Sequence, residues 1–335
     1  MPVDAMVPRI VAALRAGERF LVASHVTPEG DTIGSQLALC LALQDMGKSV
    51  VAYNSDPIPR NIRFLPYAEN IVSQIDPEAT FDAAIVVDAA DLSRVGPGLA
   101  EALPRCRLVI NVDHHKTNTG FGDLRFVDPN ASATGEVVYR LLRAIPVTIT
   151  HEIAVNLYVT ILTDTGSFHY TNSTPEAFRI AGEMVSLGVR PWSVAEKIYE
   201  SNPAARMRLL GKVLGTLDVT PDGKVASIVV SKADLAAHGC TADLTDGFIN
   251  FPRSIEGVEV ALMFREESET AYKVSFRSRG NVDVSAIAGL FGGGGHRNSA
   301  GCLVRGPLAE VKGRVLAAAA SRIVSARDPF MVVNY

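Results

Sequence analysis

Short, uniformly apolar runs set the limits on what this chain can fold into. Phe20-Leu21-Val22-Ala23, Val50 to Tyr53, Ala83 to Val87 and Leu108-Val109-Ile110 carry no polar alternation. Such runs read as strands buried on both faces. Helical spacing lies between and after them: Val7 to Leu14, about Gln36 to Met46 with Gly47 as C-cap, Ala133 to Leu142, and Glu152 to Leu162. Strands alternating with helices predict an α/β fold with a mostly parallel sheet flanked by helices. Polar residues recur where these strands stop: His25, Asp88, and Asp113-His114-His115. Open parallel sheets bind ligands at that end.

The later part of the chain changes character. Glu176 to Leu187 and Val194 to Glu200 continue a helix-rich stretch, and Pro203 opens a run suited to a linking helix, Ala204 to Leu217. Beyond it lie strand candidates at Val225 to Val230, Val258 to Phe264 and Tyr272 to Phe276, and helices at Val284 to Leu290 and Leu308 to Val324. With 335 residues, two domains are expected: residues 1–202, a linking helix at 203–217, and a smaller α/β domain with a mixed sheet at 218–335. A net charge of -4 and a pI near 6.0 argue against a broad basic surface for long duplex nucleic acid, and leave room for a local cationic pocket. Four scattered cysteines without a CxxC pair suggest reduced thiols. Met1 to Arg15 lacks a signal-peptide pattern, and no apolar run is long enough for a bilayer. The expectation is a cytoplasmic protein with no membrane partner.

Each polar cluster has a bland explanation by itself. Asp113-His114-His115 alone reads as chance loop polarity, Asp88 as a turn cap, and Asp164 as a loop residue after a helix. His25, Glu29 and Asp31 alone fit a polar turn as well as a metal site, in which Gly30 and Gly34 let the backbone bend towards a ligand. Together the clusters supply enough carboxylate and imidazole for two divalent cations with a shared carboxylate. Two cations about 3.5–4 Å apart can serve a phosphoryl displacement. No G-x-S-x-G turn and no H-E-x-x-H helix is present, which argues against a serine hydrolase or a zinc peptidase.

Gly292 to Gly295, ahead of His296, suggest backbone amides open to an anion. The run is not a Walker A loop, because the Lys-Ser/Thr pair is missing. Arg265, Lys273, Arg277, Arg279 and Arg297 are its basic neighbours, and Lys273, Ser275 and Arg277 alternate so as to share one strand face. The pattern favours a phosphate or nucleotide pocket over scattered surface charge.

In order, these motifs resemble those of the DHH phosphoesterase superfamily over nearly the whole chain. His25 to Ser35 looks like its first motif, Asp88 its second, Asp113-His114-His115 its third and Asp164 its fourth. Phe291 to Gly301 looks like the glycine-rich motif of the DHH-associated (DHHA1) domain. Size and layout are most similar to the NrnA-type group. The resemblance implies two Mn²⁺ ions, with Mg²⁺ as the alternative. His25, Glu29 and Asp88 would hold one, and Asp31, Asp88, His114 and Asp164 the other. It implies that His115 faces the substrate phosphate and that Asp113 orients the histidines. Gly293, Gly294, Gly295 and His296 would bind the nucleotide, with Arg265 and Arg277 as weaker candidates. Glu29 departs from the usual Asp and carries one more methylene. Lower affinity, a different metal preference or a completing water is expected at the first ion. Ser299 stands where Ala is usual.

The implied activity is hydrolysis of short oligoribonucleotides (nanoRNA) to 5′-mononucleotides, of 3′-phosphoadenosine 5′-phosphate to AMP, or both. Bridging hydroxide activated by two metals would be the nucleophile, and the DHHA1 domain would grip the nucleotide across a cleft. Linear or cyclic dinucleotides are alternative substrates. A non-catalytic nucleotide sensor and a pyrophosphatase are alternative functions. A homodimer is compatible, since the family often forms dimers.

Overall fold

The computed structural model describes residues 6–280 and 282–325. The outer limits of the expected domains, at residues 1 and 335, lie outside the described residues. The chain divides into two compact units at Ser201/Asn202. Among the described residues, no helix is long and apolar enough to cross a membrane.

The N-terminal unit is built on six parallel strands: β1 (Arg19–Ser24), β2 (Ser49–Tyr53), β3 (Ile71–Val72), β4 (Ala83–Val87), β5 (Val109–Asp113) and β6 (Leu124–Val127). Their order is β3-β2-β1-β4-β5-β6. Its helices are α1 (Val7–Ala16), α2 (Gly30–Asp45), α3 (Pro97–Ala102), α4 (Thr134–Arg143), α5 (His151–Asp164), α6 (Pro175–Ser186) and α7 (Pro191–Ala195). Alternate residues of β1 and β4 enter different cores. Phe20, Val22, Ile85 and Val87 pack with Leu37, Val137 and Ile153 of α2, α4 and α5. Leu21, Ala23, Ala84 and Val86 pack with Val95, Leu99 and Ala102 on the other side. Burial on both faces explains why these strands carry no polar alternation.

The strand order reverses between β1 and β4. Helices leave to opposite faces there, so a crevice opens at the carboxyl ends of the strands. Ser24 pairs with Val87, and Val87 with Val112. The next residues along these strands are therefore His25, Asp88 and Asp113, neighbours on adjacent strands about 4.8 Å apart.

Several elements differ from expectation. Helix α2 starts at Gly30, not near Gln36, after Glu29 in extended geometry. Gly30 and Gly34 therefore lie inside a helix and do not bend the chain. Their missing side chains admit α5. A Cβ on Gly30 would stand 2.5 Å from Thr163 Oγ1, and one on Gly34 would stand 2.7 Å from the Asn156 carbonyl. Overpacking of this kind costs about 1–3 kcal/mol. Strands β3 and β6 escape a periodicity reading because each is a short sheet edge, the second interrupted by exposed Arg125. The expected helix over Val194 to Glu200 is α7 followed by a π turn at Glu196–Glu200.

The C-terminal unit holds a second six-stranded sheet: β7 (Asp218–Val219), β8 (Val225–Val230), β9 (Val260–Ser268), β10 (Ala271–Ser278), β11 (Gly294–His296) and β12 (Ser299–Arg305). Its order is β11-β12-β10-β9-β8-β7. Strands β8 and β9 are parallel and every other neighbouring pair is antiparallel. The helices are α8 (Ala204–Leu214), α9 (Lys232–Ala237), α10 (Asn250–Arg253), α11 (Val284–Gly289) and α12 (Leu308–Ser325). One sheet face buries Leu262, Phe264, Val274 and Phe276 under Val311, Val315 and Ala319 of α12. On the other face, Leu209, Leu210 and Val213 of α8 cover Ile228, Ala261 and Met263.

Candidate active site

Each side chain at the carboxyl end of the parallel sheet is aimed by its backbone. Asp88 adopts a left-handed conformation, φ +57°, at the end of β4. A non-glycine residue is rarely held there without surrounding support. The support is visible: Thr32 Oγ1 donates to Asp88 Oδ2 at 2.6 Å, and Thr134 Oγ1 donates to Oδ1 at 2.8 Å. Asp31, in the first turn of α2, accepts the Thr134 amide at 2.7 Å and the Gly135 amide at 3.0 Å. These are free N–H groups of the first turn of α4, where a carboxylate is favoured. Asn172 donates to Asp164 Oδ2 at 3.3 Å and to the Ser132 carbonyl at 2.8 Å.

The three histidines are turned by their second ring nitrogen. His25 Nδ1 lies 2.6 Å from the Val26 carbonyl, His114 Nδ1 3.3 Å from the Ala131 carbonyl, and His115 Nδ1 2.6 Å from Asp113 Oδ1. Donation from Nδ1 leaves Nε2 of His25 and His114 directed at carboxylates. His25 Nε2 is 3.3 Å from Asp88 Oδ2. His114 Nε2 is 3.8 Å from Asp31, 3.9 Å from Asp88 and 3.7 Å from Asp164.

Those last spacings exceed hydrogen bonds. Metal–ligand bonds of about 2.0–2.2 Å place neighbouring ligand atoms roughly 3–3.6 Å apart, so a small closure would seat an ion. Three overlapping groups have ligand atoms all within 4.8 Å of one another: His25, Glu29 and Asp88; Asp88, His114 and His115; Asp31, His114 and Asp164. Asp88 is common to two of them. Glu29 is exposed, yet its longer side chain brings its carboxylate into the first group.

The electrostatics point the same way. Burial, then repulsion from Asp88 and Asp164, pushes the Asp31 carboxyl well above its ordinary range. Burial likewise pushes Asp164 up to about 7, against the pull of His114 and with Glu29 and Asp88 adding repulsion. Burial disfavours charge on His114, but Asp164, Asp31 and Asp88 outweigh it and raise its pKa to about 9. Asp88 goes the other way: burial opposes its charge, but the bond to His25 and the charges of His25, His115 and His114 together outweigh burial and hold it below the carboxylate range. Crowded carboxylates with divergent affinities for protons are the signature of a functional site. Oxygen and imidazole donors of this kind fit a hard or borderline divalent cation.

All seven residues expected around the metals and phosphate, His25, Glu29, Asp31, Asp88, His114, His115 and Asp164, thus converge, with Asp113 bonded behind His115. Thr32, Thr134, Asn118 and Asn172 escaped the sequence reading. Hydroxyl and amide side chains are common in loops, and Thr134 lies 103 residues from Asp31. Only the position of Asn118, five residues after Asp113, offers a local hint.

The glycine run behaves differently from an open anion nest. Gly292 and Gly293 amides donate to the Gly289 and Ala288 carbonyls, closing the end of α11. Gly294 and Gly295 pair with β12. Gly295 has φ +146°, and a Cβ there would sit 2.5 Å from the Ser299 carbonyl. Glycine is required by this hairpin whatever it binds. The backbone of His296 pairs with Ser299, while its side chain lies outside the described residues. Lys273, Ser275 and Arg277 do share a face, opposite buried Val274 and Phe276. Arg265 is anchored, with Nη2 2.7 Å from Glu267 and Nη1 3.2 Å from the Ala242 carbonyl. Arg277 donates to the Phe276 carbonyl at 3.0 Å.

A parallel sheet with this cluster at its reversal point, followed by a mixed-sheet unit with a glycine hairpin, defines a two-domain phosphoesterase. Residues 19–161 match the DHH family, N-terminal domain, and residues 223–325 match the DHHA1 domain. The chain belongs to this DHH–DHHA1 family and is a hydrolase of phosphoric esters. It is 38% identical over 288 residues to the bifunctional oligoribonuclease and PAP phosphatase NrnA of Thermus thermophilus, covering 85% of this chain and 84% of that one. The Bacillus subtilis protein of the same name is 26% identical over 306 residues, covering 89% and 93%. An exopolyphosphatase-related protein from Bacteroides fragilis superposes with a TM-score of 0.90 at 26% identity, covering 97% and 98%.

Proposed function

We propose that this enzyme hydrolyses short oligoribonucleotides to 5′-mononucleotides and 3′-phosphoadenosine 5′-phosphate to AMP. The observation that carries the reading is the pair of donor groups meeting at Asp88, flanked by the third around His114. Relatives named for these two substrates, at similar length, support it. His25, Glu29 and Asp88 would hold one Mn²⁺, and Asp31, Asp88, His114 and Asp164 a second, Mg²⁺ being the alternative. When bound, the two ions supply a nucleophile at neutral pH and charge neutralisation on phosphorus.

The chain's own residues do the rest. Asp88 ties the two donor groups together, and its fixed hydroxyl bonds set its direction. His115 faces the phosphate and supports the leaving oxygen, by charge or by proton donation. Asp113 keeps the His115 ring in one orientation. The C-terminal unit binds the nucleotide through Gly293, Gly294, Gly295, His296, Arg265 and Arg277. Gly293 acts there by lacking a side chain, since its amide is committed. Residues 1–202 then form the catalytic domain, 203–217 the link, helical over Ala204–Leu214 and not to Leu217, and 218–335 the binding domain. A cytoplasmic location and a homodimer belong to the same reading.

A substrate panel tests it: short RNA, 3′-phosphoadenosine 5′-phosphate, linear and cyclic dinucleotides, and pyrophosphate, each with Mn²⁺ and with Mg²⁺. Metal-dependent release of 5′-mononucleotides or AMP is expected. Turnover confined to pyrophosphate, or to dinucleotides alone, would replace the reading. Binding without turnover would make the protein a nucleotide sensor.

A further inference from the structure

We propose that Asn118 is a positioning residue for this site, acting on His115 through Asp113 and on Asp88 through the turn that follows it. The inference rests on the proposed function for its kinetic readout but not for its geometry. Asp113 is fully buried at the end of β5. One of its oxygens receives His115 Nδ1 at 2.6 Å, and the other receives Asn118 Nδ2 at 2.5 Å. A carboxylate held at both oxygens cannot rotate, so the imidazole bonded to it keeps one tautomer and one plane.

The amide of Asn118 is itself locked. Its Oδ1 accepts the Gly120 amide at 2.7 Å. Only an oxygen can face that N–H, so the NH₂ end must face Asp113. The same NH₂ reaches the Ala89 carbonyl at 3.3 Å, one residue beyond left-handed Asp88. The Thr119 amide adds a 2.8 Å bond to the Ala90 carbonyl. Asn118 therefore joins the segment after β5 to the segment after β4. One side chain then sets the angle between the residue that faces phosphate and the carboxylate common to two donor groups. A loop residue needed only for packing would not require donors placed on both.

The test combines kinetics with an activity-independent signal. Asn118→Ala is expected to lower kcat by roughly 10–100-fold, with KM changed less than about twofold, as for other partners of ligating residues. In an Asp113→Ala background the same change should add less than about twofold, because the route through Asp113 is already cut. In the metal-free protein, nitrogen NMR of labelled histidines should show the His115 Nδ1–H bonded proton in the parent chain. It should be shifted or lost in Asn118→Ala and in Asn118→Asp, which keeps the volume and lacks the donor. Thr119→Ser, which keeps both the amide and the hydroxyl bonds to the Ala90 carbonyl, should leave it in place. An unchanged His115 signal in both Asn118 variants overturns the proposal, as do losses that simply add to those of Asp113→Ala. If Asn118→Ala does not fold, Asn118→Asp carries the NMR arm. If no substrate is turned over, the proposed function fails while the NMR arm still decides this inference.

Discussion

The carboxyl end of the parallel sheet and the cationic face of the mixed sheet handle charge in opposite ways. At the first, Asp31, Asp88 and Asp113 are buried and Asp164 partly so, each held by hydroxyls, amides or imidazoles from other segments. At the second, Lys273 and Arg277 keep contact with solvent on alternate positions of a single strand, β10. Crowding like charges in a low dielectric is costly unless something compensates them. The first region is therefore built to receive cations, and small displacements there matter. The second can offer charge to an anion at little cost, and screening by water makes each group worth less.

The contrast predicts unequal mutational effects. Asp88→Ala or His114→Ala should reduce metal-dependent turnover by roughly a thousandfold or more, above the 10–100-fold typical of outer partners. Near-normal kcat in both variants would remove the first region from the chemistry. Asn118→Ala comes next in size, as argued above.

The pH dependence sharpens the comparison further. Asp164, moved from its ordinary 3.8 up to about 7, binds protons in the folded chain that the unfolded chain has released. His114, raised from 6.5 to about 9, does so at higher pH. Both contributions make the metal-free fold lose stability as pH rises through those windows. A cation competes with those protons, so added Mn²⁺ should raise Tm more at about pH 8 than at about pH 5.5. Thermal melts with Mn²⁺ and with chelator measure this, and equal shifts at both pH values would contradict the assignment. Smallest of all, Arg277→Ala or His296→Ala should raise KM by about 3–10-fold while kcat stays within about twofold, the Arg277 effect weakening in salt. A fall in kcat at constant KM would move these residues out of the binding role.

How much was legible in advance follows from the same contrast. Residues 83–87 and 225–230 match β4 and β8 end to end, because apolar runs bounded by polar residues, the second broken only by buried Ser227, leave few other options. The alternation of Lys273, Ser275 and Arg277 was equally plain. Glu29 illustrates the opposite case. The sequence puts an extra methylene in the first donor group, and only the structure shows that this carboxylate, just ahead of α2, lies within 4.8 Å of the His25 and Asp88 ligand atoms. The glycine run reads as open amides, yet the Gly292 and Gly293 amides close the end of α11, because composition cannot tell a nest from a helix end running into a hairpin. That choice was made by β12, whose carbonyls and side chains leave no room for a Cβ on Gly293 or Gly295.

By itself, the sequence determined the alternation of strands and helices, the two units, and which acids and imidazoles stand at strand ends. Those follow from periodicity and from the refusal of charge to enter a core unpaired. Tertiary structure alone decided that α2 begins at Gly30 and that the Thr134 amide and hydroxyl hold Asp31 and Asp88. It also decided that Asn118 closes the ring behind Asp113. Bonds such as Thr134 to Asp31 and to Asp88, 103 and 46 residues apart, depend on register and helix approach, and no local pattern encodes either.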